Sequence, residues 1–382
     1  MITGQLFFEL LQVAIGRRTE LSGTPSQEEW LCIYNLCERQ TLVGIGYVGI
    51  QLLPSNQWPP KEIIMKWTAY AERIAARNIH TNNYCGRVCC NFEKEGFHCC
   101  ILKGQSNISN YPKTELADGT MVELGRYRTP GDIDAWVTPA GKCRYPVRKV
   151  IEYIQGICPG NTIYYHHSDF PVIRDTEIEV HYRPSFLYSP LRNMRLQKWF
   201  RKKNGSCTQY VHEGFNVPSN EFNLIFQLTH VFKHIFEEGI GLRQVLDYYC
   251  VVKSEGQKII RTTEEVGNNY GIEGQLKYLG LYKFACAIMY VLHEVFCLPE
   301  DEMIVPMDRK EGRFLLDEIM IAGNFGHYDD RIAKHETSWQ RALRKLCRNF
   351  RFVRSYPEEV VCEPFFRVYH YLWRTLKLWK LE

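Results

Sequence analysis

Two acids one residue apart, Asp132 and Asp134, carry the strongest chemical signal in this 382-residue chain. They lie in Arg128-Thr-Pro-Gly-Asp-Ile-Asp-Ala-Trp-Val137, where Pro130-Gly131 makes a tight turn into a strand. A strand's period of two sets both carboxylates on one face and turns Ile133 and Ala135 to the other. Like charges about 4 Å apart repel by about 1 kcal/mol in water and by several times that in a protein-like dielectric. The pair therefore calls for a cation, and oxygen donors suit Mg²⁺, or Mn²⁺, shared with waters and substrate phosphates.

A second strand, Glu177-Ile-Glu-Val-His-Tyr182, repeats the phase. Glu177, Glu179 and His181 share one face, and Ile178 and Val180 pack behind. If this strand lies beside the Asp-x-Asp strand, Glu179 supplies a third metal-binding carboxylate. Three acids around two ions is what in-line nucleotidyl transfer requires. Surface strands also carry acids on a solvated face. The Pro-Gly turn, the third acid and an upstream element favour a site. That element is Ile101-Leu-Lys-Gly-Gln-Ser106, a strand that ends in glycine and opens a helix. Free N–H groups, a helix dipole and the Lys103 ammonium would suit a triphosphate at Lys103, Gly104 and Ser106.

LKG, then RTPGDIDAWV, then EIEVHYRP, then HVFKHIFEEGIGLRQVLDYY resembles the uncharacterised nucleotidyltransferase family common in Bacteroidetes, a branch of the polymerase-β-like superfamily. The resemblance spans roughly residues 97–252. It implies a polymerase-β-like palm in which Asp132, Asp134 and Glu179 are catalytic and bind two divalent ions, while the turn at Gly104 holds nucleotide phosphates. One departure stands out: Gly104 is followed by Gln105, and 28 positions separate it from Asp132. A polar insert between Tyr111 and Arg128, read as a loop or small hairpin, absorbs the excess.

Other residues are weaker candidates. Arg128 has the planar fork for a phosphate, or for a salt bridge. His181 contacts substrate or fills the sheet face. On a helix from Glu221 to Glu237, Asn223, Gln227, His230, His234 and Glu237 form a polar stripe opposite Ile225, Leu228, Phe232 and Ile235. The stripe faces the palm cleft and substrate, or it faces solvent. His230 and His234 lack the intervening Glu of the HExxH metalloprotease motif. Arg243 opens the next helix, badly placed for its dipole, and either reaches substrate or pairs with Asp247 at i,i+4.

Around these residues the texture divides the chain into a helical region at 1–95, a palm at 96–190 and a helical domain at 191–382. Helices are expected at Leu6–Ile15, Trp30–Leu36, from Pro60 to about Tyr84, Val147–Ile154, Glu221–Glu237, Leu242–Val252, Leu281–Phe296, Arg313–Ala322, Trp339–Arg354 and Phe365–Leu381. The fold class is α+β. Net charge is +4, too little to demand a polyanionic partner, but the stretch from Arg331 carries +7 and the rest −3. Arg341, Arg344, Lys345, Arg348, Arg351 and Arg354 line one helix there, a face for nucleic acid or an anionic membrane, or merely a solvated one.

Without a basic leader or an apolar run of membrane length, the chain reads as soluble and cytoplasmic, and its 15 cysteines as reduced thiols. Cys85, Cys89, Cys90, Cys99 and Cys100 lack the spacing of zinc knuckles and read as small buried hydrophobes. The favoured function is Mg²⁺-dependent transfer of a nucleoside monophosphate from a nucleoside triphosphate to a hydroxyl or phosphate acceptor. The sequence does not identify the acceptor, and nucleic acid is an allowed but unnecessary partner. The alternative is a catalytically silent module that binds nucleotides or docks a partner through its basic helices.

Overall fold

The structure is a computed structural model that describes all residues except 1, 117, 204–207, 211–213, 267–270, 324–346 and 348, and no side chains at 2–3, 208–210 and 255–266. Of the expected basic face, Arg341, Arg344, Lys345 and Arg348 lie outside the described residues. The chain forms two compact units, each built from three stretches.

The first unit comprises Met1–Ile79, Asn107–Pro130 and Glu237–Lys334. It holds α1 (Ile2–Ala14), α2 (Gln27–Arg39), α3 (Val43–Leu52) and the start of α4 (Lys61–Lys94), then α8 (Leu242–Val266), α9 (Ile272–Leu279), α10 (Tyr282–Phe296) and α11 (Arg309–Ala322). A capping box starts α2: the Ser26 hydroxyl accepts from the Glu29 N–H, and the Glu29 carboxylate accepts from the Ser26 N–H. Helix α3 is absent from the expectations. Its residues Val43 to Ile50 are all buried, so no polar face marks a helical period. Gly44 lets it close on the insert, because a Cβ there would collide with the Tyr127 carbonyl oxygen. The insert itself is a hairpin, β2 (Lys113–Glu115) antiparallel to β3 (Met121–Glu123), followed by a 3₁₀ turn at Leu124–Tyr127.

The second unit comprises His80–Ser106, Gly131–Phe236 and His335–Glu382. Its centre is a four-stranded mixed sheet of β1 (Phe97–Ile101), β4 (Ile133–Pro139), β5 (His167–Ile173) and β6 (Thr176–His181) in the order β1-β4-β6-β5. β1 is antiparallel to β4, β4 is parallel to β6, and β5 is antiparallel to β6. A parallel neighbour needs a crossover, which α5 (Pro146–Ile157) supplies by burying Val150, Ile151 and Ile154. Ile133, Ala135, Val137, Ile178 and Val180 are all buried in this sheet.

Helices α6 (Pro190–Lys203) and α7 (Asn220–Glu237) and a C-terminal helix at Pro357–Thr375 complete the unit. The solvent-facing alternative for the polar stripe of α7 does not hold, since every side chain from Phe222 to Lys233 is buried. Phe222 stacks on Trp136 of the sheet, while Phe236 meets Phe352 and Tyr356, so the helix is covered on both sides. Besides α3, the elements not expected are α9 in the first unit and, in this one, β5, α6 and a short antiparallel pair, Thr208–Tyr210 with Asn216–Pro218, and α4 runs on to Lys94. Cys85 and Cys89 are buried in that extension, Cys99 and Cys100 are buried in β1, Cys90 is exposed, and the described cysteines are all free thiols.

Candidate functional site

Register builds the site. β4 and β6 pair in parallel with Asp134 opposite Glu179 and Trp136 opposite His181. β5 then sets Asp169 opposite Glu179 and His167 opposite His181. Because facing residues of paired strands project to the same side, one face of the sheet carries Asp134, Glu179 and Asp169 in one row and Trp136, His181 and His167 in the next. Asp132 stands two residues before Asp134, just ahead of the strand. Oxygens of Asp132, Asp134 and Glu179 lie within 4.8 Å of one another.

Two cationic side chains reach these acids. Lys103, at the end of β1, puts its Nζ 3.4 Å from Asp132 Oδ2 and 3.2 Å from Asp134 Oδ2. His181 Nε2 is 2.9 Å from Asp134 Oδ1 and 3.2 Å from Glu179 Oε2. Burial opposes every charge in the group, and the neighbours decide the outcome. Burial lifts the Asp134 carboxyl and Asp132 lifts it further, against the pull of Lys103 and His181, so it stays above the ordinary range. For Glu179 burial is outweighed by the hydrogen bond from His181 and the attraction of His167 and Lys103, and its carboxyl is held far below. Burial lowers His181, but its two carboxylate partners win and raise it to about 9. Lys103 likewise stays above the usual lysine range despite burial, held there by Asp132, Asp134 and Glu179.

Beside the acids, and including His167 of the same face, lies a histidine cluster. His167 Nδ1 is 3.0 Å from His166 Nε2, which is 3.1 Å from Lys233 Nζ. Burial drives His167 down to about 3, with Glu179 pulling the other way, and burial beside Lys233 lowers His166 well below the ordinary value. His230 and His234 on α7 meet edge to face at 4.3 Å between ring centroids, and burial, followed by nearby positive charge, keeps both low. His166, His167 and Lys233 were not anticipated. The signal was available: His167 and Asp169 alternate on a segment whose first two residues are a His-His pair.

The remaining expected residues fall elsewhere. Gly104, at φ +63°, opens a 3₁₀ segment, Gly104–Asn110. Ser106 is buried there with its hydroxyl unbonded. Arg128 and Arg243 belong to the other unit. Arg128 forks onto Asp247, Nε to Oδ1 and Nη2 to Oδ2, both at 2.7 Å, and Tyr111 donates to Asp247 Oδ1 at 2.7 Å. The salt-bridge alternative for Arg128 thus describes its geometry. The Arg243 Nη1 donates to the Thr129 carbonyl at 2.9 Å.

An all-oxygen donor set fits a hard divalent ion. Asp134 Oδ2 is buried, and its partner there is the Lys103 ammonium at 3.2 Å, an ion pair without hydrogen-bond geometry. Asp132, Asp134 and Glu179 could therefore hold such an ion. Among the described residues, no helix is long and apolar enough to cross a membrane. A family model described as uncharacterised nucleotidyltransferase matches residues 26–296. No curated protein and no solved structure matches the chain.

Proposed function

The chain belongs to the family of uncharacterised nucleotidyltransferases, and from that premise we propose that it moves a nucleoside monophosphate from a nucleoside triphosphate to a hydroxyl or phosphate acceptor, on a polymerase-β-like palm. The observation that carries this reading is the convergence of Asp132, Asp134 and Glu179 from two adjacent strands beside Lys103. Mg²⁺ or Mn²⁺, when bound, supplies Lewis acidity to phosphate and acceptor oxygens.

The chain's own groups do the positioning. Asp132, Asp134 and Glu179 would hold the ions. Glu179, kept ionised by His181, is the acid suited to the site where the acceptor loses its proton. Lys103 brings a fixed positive charge to the same face, where it would oppose charge building on the transferred phosphoryl group. His181 clamps Asp134 and Glu179 in register, so neither carboxylate has to reorganise during transfer. A reducing, cytoplasmic setting belongs to the same reading, since the described cysteines are free thiols.

The test is pyrophosphate release from nucleoside triphosphates over a panel of acceptors. Release should require Mg²⁺ or Mn²⁺ and fall at least about a hundredfold in Asp132→Ala. Undiminished turnover in that variant would remove the assignment. Nucleotide binding without turnover on any acceptor would favour the silent module instead.

A further inference from the structure

His167 faces the acids from the outer side of the sheet, away from Lys103. Its ring is oriented by a relay that the nucleotidyl-transfer reading does not use. The Lys233 ammonium can only donate hydrogen bonds, so His166 Nε2, 3.1 Å away, is an acceptor. His167 Nδ1, 3.0 Å from that same nitrogen, is bonded to it only by carrying its ring's proton and sharing with Lys233 the one lone pair of His166 Nε2. This leaves His167 Nε2 with a bare lone pair, and it points at Glu179 Oε1 across 3.6 Å.

Two acceptors facing each other with no donor between them are matched by a cation that both can bind. The spacing agrees, because donors bound at about 2.0–2.2 Å from one ion stand a little over 3 Å apart. The third donor is His181 Nε2, 3.2 Å from Glu179 Oε2. His181 makes no hydrogen bond through Nδ1, so its ring is held through Nε2 alone, and a bound ion would displace the contact of that nitrogen with Asp134 Oδ1 at 2.9 Å. Ligand atoms of His167, Glu179 and His181 lie within 4.8 Å of one another.

We propose that His167, Glu179 and His181 form a second metal site, distinct in chemistry from the acid triad, that selects a borderline transition-metal ion of the Zn²⁺ class. Two imidazoles and one carboxylate are the donors such ions prefer, whereas Mg²⁺ favours oxygen alone. His166 is the positioning residue that fixes the His167 tautomer, as outer partners of metal-bound histidines do. On loading, the ion takes His181 Nε2 in place of the proton now shared with Asp134 and Glu179, and that proton leaves to solvent. The two sites share Glu179, so the face could hold one hard and one borderline ion side by side. The second site otherwise stands independently of nucleotidyl transfer.

The probes are Zn²⁺ by calorimetry and Co²⁺ by visible absorption, titrated into the full chain in excess Mg²⁺. One equivalent should bind, with d–d bands but no thiolate charge-transfer band. His167→Gln should weaken binding at least about tenfold, and His166→Ala by about 10–100-fold. Asp132→Ala should keep this binding while losing Mg²⁺-dependent pyrophosphate release, so the two readings fail separately. Zn²⁺ affinity unchanged in both histidine variants, a thiolate band, or equal loss in Asp132→Ala would each overturn the proposal.

Discussion

Buried acids in this protein come in two kinds. Asp247, in the first unit, faces one guanidinium fork and one phenol, and its charge is cancelled by Arg128 at 2.7 Å through both oxygens. On the second unit's sheet, Asp132, Asp134 and Glu179 face the single ammonium of Lys103 and a His181 that two of them share. The first arrangement is closed and neutral. The second keeps negative charge in reserve, and the like-charge strain shows in Asp134, whose carboxyl is pushed up by burial and by Asp132. A closed pair belongs to stability, and an unbalanced cluster belongs to chemistry.

The sharpest way to break this contrast is to delete one acid of each kind. Asp247→Ala leaves Arg128 buried without its counter-charge and should cost about 3–5 kcal/mol in urea unfolding. Asp132→Ala, in the same assay, should leave stability unchanged or raised, because it relieves repulsion. A large loss in the second variant would place both acids in the structural class.

Glu359 gives an intermediate case. It is fully buried in the second unit and accepts from the Tyr188 N–H at 2.7 Å, yet burial still lifts its carboxyl to about 7. A folded-state value above the unfolded one means that its contribution is fully present below the unfolded value of 4.5 and is lost as pH rises through about 7. Unfolding free energy should therefore fall over that window by at most about 3 kcal/mol on account of this group. Glu359→Gln should flatten the slope, and an unchanged slope would show that Glu359 ionises without penalty. The smallest effect is Tyr111→Phe, which removes one donor from Asp247 and should cost about 1.5–2 kcal/mol. A cost near zero would mean that the Arg128 fork alone satisfies the carboxylate.

The acid face was legible because strand period is local: Asp132 with Asp134, and Glu179 with His181, follow from alternation alone. That the two strands pair in parallel, with Asp134 opposite Glu179, is a matter of register between distant segments, and the expectation there rested on resemblance. β5 escaped notice because Pro171 interrupts His167–Ile173 and the outward side chains are mixed in polarity, and His166 and His167 went with it. α6 hides behind Arg and Lys at its C-terminal end. The polar stripe of α7 was legible as a pattern, and of its two readings the solvent-facing one falls, since a helix covered on both sides buries its histidines as readily as its phenylalanines. The partner of Arg128 is 119 residues away, beyond any local rule.

The hairpin between Tyr111 and Arg128 enters the sequence as surplus length before the first acid. In the fold it is a keystone: Gly44 and Gly125 are bare so that the backbones of Tyr127 and Ile108 can touch them, and its two ends deliver the phenol that hydrogen-bonds Asp247 and the guanidinium that neutralises it. Trimming the chain there to bring Gly104 nearer Asp132 would not yield a leaner fold. It would pull out the wedge that locks three distant stretches of the first unit together.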